Sequence, residues 1–190
     1  MELERQDLID GLREIVHRAH AQGVTNVSIK LVGGAALRLA YYEREATADI
    51  DAKISPLSSI APIIQAIARD RGWPAEWLND QAAMFIPTLG KSVDWEPLLD
   101  DANVSIAVAP IDALLAMKLH AARPGRDLDD IAILLTLNHI KDTASAEELY
   151  ESFYPGDALP DRTVQTVDRM FREGLPIKPL PPLPPFRASK

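Results

Sequence analysis

The sequence predicts a mixed α/β fold built in two parts. Strands and helices mix as far as residue 109, and helices alone follow from 110 to 175. Two observations carry this. Short apolar runs that alternate with polar residues appear only in the first part, around 26–32, 48–54 and 103–109. From Pro110 onward the apolar spacing turns helical and stays so. The composition is that of an ordinary globular chain: 190 residues, 47% hydrophobic and 25% charged, enough to bury a real core.

In order, residues 3–22 read as an amphipathic helix with Leu8, Leu12, Ile15, Val16 and Ala19 near one stripe, closed by Gly23. Residues 26–32 form the first strand, 34–42 a short helix and 48–54 the second strand. Residues 58–71 form a helix that carries Pro62 in its first turn, where a missing N–H is tolerated, and Gly72 stops it. The stretch 73–101 carries no clear period. Residues 103–109 alternate as a strand. Helices follow at 111–122, 127–138, 146–153 and 161–172, the third opened by a Ser145-x-x-Glu148 capping box. Three regions result: an α/β core over 1–109, a helical lobe over 110–175, and a proline-rich, disordered or extended tail over 176–190. A cleft between core and lobe is a natural place for a ligand.

Composition also bounds function. No apolar run is long enough for a bilayer, and the opening MELERQDL is too polar for a signal peptide, so a cytoplasmic protein with no membrane partner is expected. The absence of cysteine fits a reducing compartment and excludes thiolate metal sites. A net charge of −8 argues against broad, non-specific nucleic-acid binding but leaves room for a local basic groove. The four histidines have no metal-site spacing, and no GxSxG element is present. Aromatics are few and not interleaved with basic residues, so no stacking platform is expected.

The chemistry concentrates in residues 31–54, LVGGAALRLAYYEREATADIDAKI. A strand runs into Gly33-Gly34 and a helix start, a donor-rich approach for phosphate. The next strand carries Asp49-Ile50-Asp51, whose two carboxylates fall on one face while Ala48, Ile50, Ala52 and Ile54 fall on the other. Paired carboxylates suit Mg²⁺, which binds through one or two of them plus substrate phosphates. The plainer reading is a tight turn followed by two solvated acids. Arg44 either contacts phosphate or braces the loop, and Thr47 positions the strand end.

Lys118, in IDALLAMKLHAA, falls on the apolar stripe with Ile111, Leu114, Leu115 and Ala122. It either snorkels to water or aims its amine at a triphosphate or at acids. Asp127 and Asp130 share a face three apart, while Asp129 turns away. Helix-start acids also answer the dipole, which explains some of them without function. Asp80 either caps a short helix or is a third carboxylate beside the metal, with Asp94 as its rival.

The ordered array resembles the minimal nucleotidyltransferases of the polymerase-β-like superfamily. It is most similar to the bacterial AbiEii-type nucleotidyltransferases, the toxin family of type IV toxin–antitoxin and abortive-infection systems. The matching pieces are Gly33-Gly34, Arg44-x-x-Thr47-x-Asp49-Ile50-Asp51, Trp77-Leu78-Asn79-Asp80, Leu114 to Leu119, and Arg126-Asp127-x-Asp129-Asp130-Ile131. The resemblance implies a minimal nucleotidyltransferase core with a small mixed sheet flanked by helices, plus a C-terminal helical lobe. It implies transfer of a nucleotidyl group from an NTP to an acceptor hydroxyl, on tRNA or another RNA, with Mg²⁺ as cofactor and a cognate antitoxin protein as partner. On that basis Asp49 and Asp51, with Asp80, hold Mg²⁺; Gly33 and Gly34 approach the triphosphate and Lys118 neutralises it; Asp127 or Asp130 orients or deprotonates the acceptor. The third acid does not fall on a clear strand, and the chain is shorter than many family toxins. The competing expectation is a catalytically degenerate member of the same fold that binds nucleotide or protein as a regulatory module. A small-molecule acceptor is a third.

Overall fold

A computed structural model describes residues 3–43, 47–123 and 125–186. It is a mixed α/β structure, with seven α-helices and a five-stranded mixed sheet among the described residues. The chain divides into two compact units.

The first unit takes Met1–Met84, Trp95–Ala109 and Leu180–Lys190. It holds α1 (Arg5–Ala21), β1 (Val27–Leu31), α2 (Gly33–Ala40), β2 (Ile50–Ser55), α3 (Leu57–Arg71), β3 (Leu78–Asn79), β4 (Glu96–Asp100) and β5 (Val104–Val108). Helix α1 opens on a reciprocal cap: the Glu4 side chain accepts from the N3 amide, and the Asp7 carboxylate accepts from the Glu4 amide at 2.9 Å. The sheet order is β3-β2-β1-β5-β4. β1 is antiparallel to β2 and parallel to β5; β3 is parallel to β2 and β4 antiparallel to β5. Alternation sorts the strands as expected. Val27, Ile29 and Leu31 of β1, Ile50, Ala52 and Ile54 of β2, and Val104, Ile106 and Val108 of β5 are buried. Asp51 and Lys53 of β2 and Ser28 and Lys30 of β1 take the other face.

Trp77 is fully buried, its indole Nε1 donating to the Ile64 carbonyl at 3.1 Å. Its ring lies against Gly11 of α1, where an added Cβ would stand 2.6 Å from ring carbon Cζ3. Gly11→Ala is therefore expected to overpack the core and cost about 1–3 kcal/mol, in spite of the better helix former. A fall in the urea midpoint would register it.

Helix α3 and the stretch 73–101 differ from the sequence reading. Helix α3 starts at Leu57, so Pro62 lies in its second turn rather than its first; it removes the donor that would reach the Ser58 carbonyl, and Ser58 is exposed to water. The stretch 73–101 hides β4, an edge strand with a register shift between Pro97 and Leu99. Proline and a bulge are tolerated at an edge, and together they erase the alternation that would announce a strand.

The second unit takes Phe85–Asp94 and Pro110–Pro179, with α4 (Ile111–Ala121), α5 (Leu128–Leu137), α6 (Thr143–Phe153) and α7 (Asp161–Glu173). Helix α6 starts three residues earlier than expected, because Asp142 is the cap: its Oδ1 accepts from the Ser145 amide at 2.8 Å and from the Ser145 hydroxyl at 2.7 Å. The division at residue 109 assigned 85–94 to the core, yet this segment packs with the helices. Gly90 lies so close to α6 that a Cβ would stand 2.4 Å from the Ser152 carbonyl oxygen. The Lys91 amide donates to that same carbonyl at 2.6 Å, and the Lys91 ammonium meets Asp112 at 2.7 Å.

The proline-rich segment is not a free tail over its described length. Within the first unit Arg5 donates to the Leu183 carbonyl and Arg13 to that of Pro185, the latter at 3.2 Å. Within the second unit Thr136 donates to the Pro176 carbonyl at 3.1 Å. Among the described residues no helix is long and apolar enough to cross a membrane.

Candidate functional site

The acid pair lies at the start of β2. Thr47 sits in a two-residue bridge with Leu3, and its hydroxyl donates to the Asp49 carbonyl at 3.2 Å, which fixes the chain as it enters the strand. Asp51 lies on the half-exposed face of the sheet, opposite Ile50 and Ala52, and alternation puts Asp49 on that face too. Asn79 of β3 stands in register with Asp51, and its amide Nδ2 donates to Asp49 Oδ2 at 3.1 Å. The Asn79 side chain is otherwise satisfied by the Glu76 carbonyl at 3.1 Å and the Gln81 amide at 2.9 Å, so it holds Asp49 from a fixed position.

The Gly33-Gly34 turn stands directly beside this pair. Gly33 has φ +64, and a Cβ there would lie 2.8 Å from Asp51 Oδ2. Glycine is required twice over, by the left-handed backbone and by the approach of the carboxylate. Helix α2 begins at this turn, and its N-cap, Val32, gives the first amides no side-chain cap. A carboxylate near a helix N-terminus is also stabilised by the dipole, so part of this arrangement is structural. Gly33→Ala is expected to cost about 1–3 kcal/mol through backbone strain and the displaced Asp51; thermal unfolding measures it.

Sequence reading passed over three residues here. Asn79 occupies the place beside the pair where Asp80 was expected. Asp80 is exposed, just past the end of β3, where it lines a groove with Leu57 and Ile64. Lys53 follows Asp51 by two residues on the same face, and Lys30 stands opposite Lys53 in the β1–β2 register, its ammonium 5.1 Å from the centre of the Trp95 ring. Period-two alternation was the signal for both lysines. Asp94 is exposed and belongs to the second unit. Arg44 lies outside the described residues. Among the described residues no group of three His, Cys, Asp or Glu side chains is placed to hold a metal ion.

Lys118, Asp127 and Asp130 form a cluster within the second unit. The Lys118 ammonium meets Asp127 Oδ1 at 2.6 Å and Asp130 Oδ2 at 2.8 Å, with all three side chains under 10% exposed. Arg123 adds its amide at 3.2 Å and its Nε at 3.0 Å to Asp127 Oδ2, and its Nη2 at 3.2 Å to Oδ1. Burial works to raise the Asp127 carboxyl, but the Arg123 guanidinium and the Lys118 ammonium outweigh it and hold the group below the usual carboxylate range. Lys118 therefore does not snorkel to water: its amine meets two acids, one of the two targets the sequence left open. Asp127 is likewise a poor general base, since a depressed, fully bonded carboxylate has little pull on a proton. Its bonds to Arg123 instead tie that residue to the head of α5.

No family profile, characterised protein or solved structure matches this chain.

Proposed function

We propose that the chain is a Mg²⁺-dependent nucleotidyltransferase that uses Asp49, Asp51 and the Gly33-Gly34 turn as its nucleotide site. The observation that carries this is the packing of the Asp51 carboxylate against Gly33 at the uncapped start of α2, with Asp49 held beside it by Asn79. The donor set suits the cofactor: two hard carboxylates on one face leave the remaining positions to water and phosphate oxygens. When bound, Mg²⁺ would neutralise phosphate charge and align the triphosphate.

The chain's own residues would do the rest. The first amides of α2 receive phosphate oxygens, and Lys30 and Lys53 add positive charge along the same sheet face. Asn79 and Thr47 keep Asp49 from swinging away. Positioning and charge neutralisation then serve the displacement, in which the acceptor oxygen bonds the α-phosphorus as pyrophosphate departs. The resemblance to AbiEii-type proteins extends the proposal to a tRNA or other RNA acceptor, toxin-like action in the cytoplasm and a cognate antitoxin partner.

Incubation of the purified chain with each labelled NTP, Mg²⁺ and total cellular RNA tests the reading. Label appearing in RNA with one or more NTPs supports it. One observation favours the alternative of a non-catalytic, nucleotide-binding regulatory module: an amide, Asn79, stands where a third acid would complete the metal site. On that reading NTP is bound with no label transferred.

A further inference from the structure

We propose that residues 178–185 form a polyproline-II ligand, which docks its leucine edge into an aromatic-lined, acid-rimmed groove of a partner protein. This surface is independent of the nucleotide site. Every residue from Lys178 to Pro185 either is a proline or precedes one. Proline fixes its own φ, and the residue before it is steered out of the helical region, so the whole stretch is confined to extended conformations. The polyproline-II helix repeats every three residues. Ile177, Leu180 and Leu183 therefore fall along one edge, with Lys178, Pro181 and Pro184 along the next.

That apolar edge is left in water. Ile177 is 93% exposed, Leu180 85% and Leu183 76%. Among the described residues, half of the large apolar side chains exposed to solvent belong to this one short stretch. Singly exposed leucines need no explanation, but a file of them at the repeat of the local helix does. The backbone is meanwhile tied down: Thr136 holds the Pro176 carbonyl, Arg5 that of Leu183 and Arg13 that of Pro185. These bonds engage carbonyl oxygens and leave the side chains outward. The segment is thus ordered before any partner arrives, which lowers the entropy lost on docking.

The chemistry of the edge selects the groove. Leu180-Pro181 and Leu183-Pro184 present two apolar-proline pairs one turn apart, the pattern that aromatic-lined grooves accept from proline-rich segments. Lys178, exposed and one turn ahead of Pro181, adds a positive charge at one end, which fits an acidic rim and sets the direction of docking.

The test is a titration of an isotopically labelled SH3 domain, of the kind that takes a basic residue followed by two prolines at three-residue spacing, with the full chain. The expected result is saturable shifts confined to the aromatic groove. The double variant Pro181→Ala/Pro184→Ala should weaken binding about tenfold or more. Both prolines are exposed, so its urea midpoint should match the parent. Lys178→Ala should weaken binding and remove most of its salt dependence. The proposal is overturned if the full chain causes no groove shifts, if the double variant binds as the parent does, or if sedimentation shows a dimer of this chain that the double variant dissociates.

Discussion

Asp51→Asn is expected to reduce nucleotidyl transfer by at least about 100-fold while the protein stays folded. The change removes one of two carboxylates from the half-exposed side of the sheet and keeps its shape. Loss of a group that stabilises developing charge costs about two to three orders of magnitude in rate, and loss of a metal ligand belongs with the severe cases. The fold should survive, because the substitution keeps the shape of a half-exposed side chain. Single-turnover transfer with saturating NTP, set beside a urea titration of the same sample, reads both quantities. Full activity in a folded Asp51→Asn protein would remove the acid pair from the mechanism.

Lys118→Met should have the largest effect on stability. A lysine that only steered a triphosphate could lose its charge without harm to the fold. The buried position of this one leads to a different result. Removing the ammonium leaves Asp127 and Asp130 with a shared partner gone, and breaking a buried ion pair from one side costs about 3–5 kcal/mol. Arg123 still serves Asp127, so that acid keeps part of its charge compensation. Combining Lys118→Met with Asp130→Asn should recover part of the lost stability. Equilibrium unfolding of the single and double variants checks both statements, and a silent Lys118→Met would contradict the buried cluster.

The same cluster sets a pH dependence. Asp127 titrates below its unfolded reference of about 3.9. A carboxyl with a lowered folded value contributes stability above the unfolded value and loses it as the pH falls through the folded one. The second unit should therefore weaken on the acid side of that reference, and Asp127→Asn should flatten this part of the profile.

What could be read from the sequence follows from what each residue's signal depends on. β1, β2 and β5 announce themselves because one face of each is buried, so alternation is forced. β4 does not: it is an edge strand with a proline and a bulge, and no face of it is fully buried. Asp49, Asp51 and Gly33 were legible because strand periodicity and glycine's backbone freedom are local properties. Asn79 was not, since its role depends on a two-residue strand pairing with β2 across a long stretch of chain. Lys118 was legible as an inward lysine, but its partners were not, because the return of the 123–127 turn onto α4 is tertiary. Gly90 shows the same limit: nothing local reveals that a carbonyl of α6 will lie against it.

The proposed activity rests on one claim, that the face carrying Asp49 and Asp51 beside Gly33 receives an NTP together with Mg²⁺. Equilibrium dialysis of labelled NTP against the purified chain, with and without Mg²⁺, measures this directly. The account predicts saturable retention that requires Mg²⁺ and is lost in folded Asp51→Asn protein. Absence of retention with Mg²⁺ present, or retention that Asp51→Asn leaves unchanged, would contradict it.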